Sequence, residues 1–173
     1  MSTFNGLPAH ILLNHFIVVL APLTAILAVV CALWPAARRR LIWLVLVLAL
    51  ATLVLTPVTA NAGGWLADQP FVRTSSALAT HERLGETLIY IVSALAAAVM
   101  LLAAVHLRQA RRRPVKFALQ SLVAVLVVAA AVATLVQTYR IGESGARAVW
   151  VGSGKRDIGR PSPPGGTFGY MIF

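Results

Sequence analysis

Four histidines, His10, His15, His81 and His106, are the side chains here best suited to chemistry near neutral pH. Imidazole titrates in that range, and its neutral form binds transition metals and haem iron. His10 and His15 lie in the stretch GLPAHILLNHF, residues 6–16, with Asn14 beside them at the edge of a long apolar run. Polar and ionisable groups inside a membrane span are costly, and where they occur they point to function by default. His10 and His15 are five residues apart, about 140° apart around a helix, so one helix does not offer both to a single ion. A partner on another segment is simpler, and His81 supplies it. Gly85 lies one turn beyond His81 on the same face and leaves room for a flat macrocycle. This is the arrangement that a bis-histidine b-type haem requires. His15 and His81 are the axial ligands, His10 is the reserve ligand, and Asp68 is the candidate acceptor for an imidazole's second nitrogen. His106 stands beside Arg108 without a second histidine, so the pattern supports at most one such haem.

Other readings use the same residues. His15 and His81, with Asp68, Glu82 or Glu86, form a mixed imidazole and carboxylate set suited to zinc, copper or iron. No HxxxH or HExxH spacing reinforces it. Histidines at helix ends also hydrogen-bond at the membrane interface without ligating anything, and Glu82 and Glu86 suit the solvated start of a helix. Gly152-Ser-Gly-Lys155 resembles a phosphate loop, but Val149 stands where the first glycine belongs, and Arg156 replaces the Ser or Thr. Cys31 is the one cysteine, which excludes an intramolecular disulfide and a thiolate cluster.

The elements that must position these groups are apolar helices. The chain is 59% hydrophobic and 12% charged, with a mean hydropathy of +0.83; soluble domains carry about twice that share of charge. Four runs, at 11–34, 41–60, 85–106 and 117–138, are long enough to cross a bilayer as helices. The fold class expected is all-α: an integral membrane four-helix bundle over 1–151, followed by an extended Gly/Pro-rich tail over 152–173. Pro8 suits the first turn of helix 1, Pro22 and Pro57 predict kinks, and Pro35 stops helix 1.

Charge sets the orientation. The helix 1–2 turn holds Arg38, Arg39 and Arg40, and the helix 3–4 turn holds Arg108, Arg111, Arg112, Arg113 and Lys116, with no acid in either. An excess of Lys and Arg marks the cytoplasmic side, so both termini are expected outside. The net charge of +10 lies mainly in short runs between apolar segments. Topology and lipid headgroups account for it, and no aromatic and basic platform for nucleic acid is visible.

GLPAHILLNHF, WLAD (65–68), HERLGE (81–86) and RIGESGARAVW (140–150) together resemble a family of small bacterial membrane proteins, the domain of unknown function 2231. The resemblance covers most of the chain to Val151 and places the family pattern on His10, His15, Asp68 and His81. Gly142-Glu-Ser-Gly145 stands where the family often has Gly-Gly. Some members are fused to a Rieske iron–sulfur domain, which implies a redox setting. The expectation is a protein of the bacterial inner membrane that binds b haem and is associated with membrane electron transfer. The alternative is a cofactor-free accessory subunit that stabilises or tethers a larger membrane complex.

Overall fold

The computed structural model describes the backbone of residues 3–4, 7–67 and 76–153, and the side chains of 13–64 and 79–147. A minimal ladder pairs β1 (Thr3–Phe4) with β2 (Leu7–Pro8). Four helices follow: α1 (Ala9–Leu33), α2 (Pro35–Ala67), α3 (Ser76–Ala110) and α4 (Phe117–Ser153). All four are long and apolar enough to span a membrane, and together they form the expected four-helix bundle. Pro8 lies in the ladder rather than in α1, and α1 and α2 run on through Pro22 and Pro57.

The helices exceed the spans read from hydropathy. Helix α4 has 37 residues, which is about 55 Å at 1.5 Å per residue, against a hydrocarbon core of about 30 Å. Its excess lies beyond Thr138 and includes Gly142-Glu-Ser-Gly145, which is helical, not a turn. Helix α3 begins at Ser76, nine residues before the span expected for it, and so carries His81 within the helix. The tail from Gly154 lies outside the described residues.

Helices adjacent in sequence are adjacent in space. Helix α4 closes the ring against α1, leaving α1 and α3 on a diagonal. The starts of α1 and α3 and the ends of α2 and α4 share one end, called here the terminal end. The arginine-rich turns share the other, the basic end. Thr24 lies opposite Thr52, with their hydroxyl oxygens 3.4 Å apart, which centres the α1–α2 reversal near Arg38.

The core is made of small and branched residues. Ala25, Ala28, Cys31 and Ala32 of α1 are buried against Ile42, Val45 and Ala49 of α2, Leu95, Val99 and Leu102 of α3, and Val123, Val127 and Ala131 of α4. Lipid is as apolar as leucine, so association depends on close packing, and small residues let the backbones approach. The large apolar side chains point outward. Trp34, Trp43 and Phe117 are exposed toward the basic end, and Tyr90 and Tyr139 toward the terminal end. On α4, Phe117 and Tyr139 are about 33 Å apart along the axis, close to the bilayer core thickness, as interfacial aromatic belts require.

Helix α3 ends in a Schellman motif. The Arg113 N–H donates to the Arg108 carbonyl and the Arg112 N–H to that of Gln109, both at 3.0 Å. Arg112 takes the left-handed position, with φ of 54°, where glycine is usual. Arg112→Gly should therefore raise stability by about 0.5–1 kcal/mol. Thermal melting in detergent micelles checks this, with Arg111→Gly, outside the left-handed position, expected to be destabilising.

Candidate functional site

His81 is held in the angle between α3 and α4 at the terminal end. Its Nδ1 lies 3.2 Å from the Ile141 carbonyl oxygen and 3.1 Å from Ser144 Oγ. Ser144 Oγ itself donates to the Ile141 carbonyl at 2.9 Å. A carbonyl only accepts, and the serine proton is already directed to it, so the arrangement is satisfied when Nδ1 carries the imidazole proton. Gly145 makes the close approach feasible: a Cβ there would stand 3.2 Å from His81 Cε1.

A second tie lies one turn further into the bundle. Buried Gln137 of α4 donates from Nε2 to the Leu84 carbonyl at 2.8 Å and to Thr87 Oγ1 at 2.7 Å. Thr87 Oγ1 donates in turn to the Leu84 carbonyl at 2.9 Å. Two polar side chains thus cross the α3–α4 interface in opposite directions, His81 from α3 and Gln137 from α4.

Below them runs a seam of buried hydroxyls formed by Thr24 of α1, Thr52, Thr56 and Thr59 of α2, and Thr134 and Thr138 of α4. Each donates to the carbonyl four residues earlier, at 2.7–2.9 Å. These back-bonds let threonine sit in an apolar interior without an unmet donor. Between the seam and His81 is a cavity of about 50 Å³, lined by Asn14, Thr56, Thr59, His81, Gly85 and Thr138 among others. It has room for a water or two.

The structure separates the expected site residues. His81 and Gly85 line the cavity, but the α1 residue beside them is Asn14, and His15 points to the exposed surface. His10 lies in α1, outside the described side chains, and Asp68 lies outside the described residues. Glu82 and Glu86 are exposed, and His106 is half-buried near the basic end of α3. No group of three metal-ligating side chains occurs among the described residues.

Sequence reading missed Gln137, Ser144 and the threonine seam. The signal was their spacing: Thr52, Thr56 and Thr59 step by four and three, and Gln137 and Thr138 lie three and four residues after Thr134, so each set falls on one side of its helix. It also grouped Arg38 with Arg39 and Arg40 in the helix 1–2 turn, whereas Arg38 alone of the three is buried, at 2% exposed. Searches of protein-family models, of curated proteins and of solved structures each found no match.

Two glycines in the same helix give a paired test. Nothing lies within 4 Å of a Cβ built on Gly142, so Gly142→Ala should gain up to about 1 kcal/mol of helix propensity. Gly145→Ala should lose that gain, because the new methyl group displaces a ring held by two polar contacts. Melting curves read the stabilities, and the His81 ring ¹⁵N shifts should move in the Gly145 variant only. Gln137→Leu should cost about 1–2 kcal/mol, because it removes the two hydrogen bonds that join α4 to Leu84 and Thr87 of α3; a melting temperature equal to wild type would contradict that role.

Proposed function

We propose that this chain is a multi-pass subunit of the bacterial inner membrane, with both termini outside, that stabilises or tethers a larger membrane complex without a cofactor of its own. The observation that carries the reading is the use made of the polar groups best suited to chemistry. His81 joins α3 to α4 through Nδ1, Gln137 crosses the same interface, and the hydroxyls are turned onto their own helices. Side chains engaged in this way serve a rigid helical body. The orientation is supported by the arginines gathered in the two turns at the basic end.

One observation favours a second reading, a b haem on His81 and His15. An Nδ1–H bonded to a backbone carbonyl fixes the tautomer in which Nε2 can ligate iron. That reading requires the bundle to open at the cavity and α1 to turn His15 inward. The redox setting expected from the resemblance to the domain of unknown function 2231 belongs to this reading too, and no family model match accompanies it.

Native electrophoresis of mildly solubilised membranes tests the proposal. Deleting the chain should lower the abundance of one larger complex, and restoring the chain should recover it. The purified protein, expressed with ample haem, should remain colourless. A solitary monomer whose loss affects no complex contradicts the proposal, as does a reduced-minus-oxidised haem band abolished by His81→Ala.

A further inference from the structure

Arg38 is anomalous in its setting. It sits where α1 reverses into α2, yet it is only 2% exposed, and its Nη1 is buried without a hydrogen-bond partner. The ionisable side chains that act on it are Cys31 and Arg39. The first is a thiol in the apolar core, and the second is another cation. The position adds repulsion, since Arg38 lies in the first turn of α2, at the positive end of the helix dipole. Its neighbours Arg39 and Arg40 are exposed, and Arg108, Arg111, Arg112, Arg113 and Lys116 gather at the same end of the bundle.

No acid of the described structure reaches it. Glu82 and Glu86 lie in the opening turns of α3 and Glu143 in the closing turns of α4, at the terminal end, and Glu143 is already paired with Arg147. A guanidinium enclosed without a counter-charge is strongly unfavourable. A bilayer supplies phosphate oxyanions at this depth, and basic pockets between helix ends take anionic headgroups. Guanidinium and phosphate oxygens also match in geometry.

We propose that Arg38 is the centre of a binding site for one phosphate group, supplied by an anionic phospholipid headgroup at the basic end of the bundle. The surrounding exposed arginines draw such lipids to the surface, and Arg38 distinguishes one of them as bound. Because Nη1 is closed to solvent, entry involves side-chain movement at the rim of the reversal. The bound lipid therefore resists salt that disperses the surface population.

The test uses the full chain in maltoside micelles, which carry no phosphate, titrated with phosphatidylglycerol in 0.5 M NaCl and followed by thermal melting and by native mass spectrometry. Wild type should show saturable stabilisation and one retained phosphatidylglycerol. Arg38→Gln should lose retention by about tenfold or more, while Arg39→Gln and Arg40→Gln should keep it. Without anionic lipid, Arg38→Gln and Arg38→Met should melt no lower than wild type, since each removes an enclosed charge without a partner. An arm with inorganic phosphate alone separates the sources. Stabilisation by phosphatidylglycerol only assigns the lipid, and stabilisation by both assigns the phosphate group itself. Equal retention by wild type and Arg38→Gln overturns the proposal, as does a lower melting temperature of both Arg38 variants in maltoside alone, which would reveal a partner within the protein.

Discussion

Hydrocarbon offers no hydrogen bond, so a polar group inside a bilayer must find its partner within the chain or among lipid headgroups. This constraint accounts for most of the polar geometry of the bundle. The six buried threonines of the seam donate to their own helices. Gln137 satisfies its amide across the α3–α4 interface. His81 does so on Ile141 and Ser144, over a glycine that lets the ring approach. Arg38 Nη1 is the exception among the described side chains, and it lies at the end where charged headgroups are in reach.

The two halves of the bundle divide the labour. Toward the basic end, alanines of α1 meet valines and leucines of the other helices, and the polar link is the exposed Gln109–Gln120 hydrogen bond between α3 and α4. That packing is close but not directional. Toward the terminal end the apolar cluster shrinks to Ile17, Leu88, Val92 and Ile141, and hydrogen bonds take over in fixing α3 against α4. Those bonds are directional and set the register of helices that run on beyond the span. A histidine in this position has a structural use that does not depend on metal or cofactor.

Much of the fold was legible in the sequence because the signal is simple. Runs of about 20 apolar residues can only be helices in lipid, and the arginines between them mark the turns. The helix ends were less legible. Helix α4 continues past Thr138, where the apolar run ends, through Gly142 and Gly145, because packing against α3 outweighs glycine's weak helix propensity. At the site, His81 was found from its residue type, and its Nδ1 meets the Ile141 carbonyl and Ser144. A histidine opening α1 suggested facing ligands, but α1 and α3 are diagonal, and Asn14 rather than His15 turns toward the cavity. The contacts of Nδ1, a backbone carbonyl and a serine 63 residues away, leave no mark in a motif search. Arg38 was hidden in a different way, since three consecutive arginines look alike until the reversal turns one of them inward.

The central claim is that His81 serves as a tie between α3 and α4 through a protonated Nδ1. The ring ¹⁵N shifts of selectively labelled protein in lipid, recorded with and without added haem, test it most directly. The account predicts an imidazole protonated at Nδ1, whose signals do not change on haem addition and whose Nδ1 hydrogen bonding weakens when Ser144, one of its two partners, is replaced by Val. A ring protonated at Nε2, or one whose signals shift or vanish on haem addition, would contradict it.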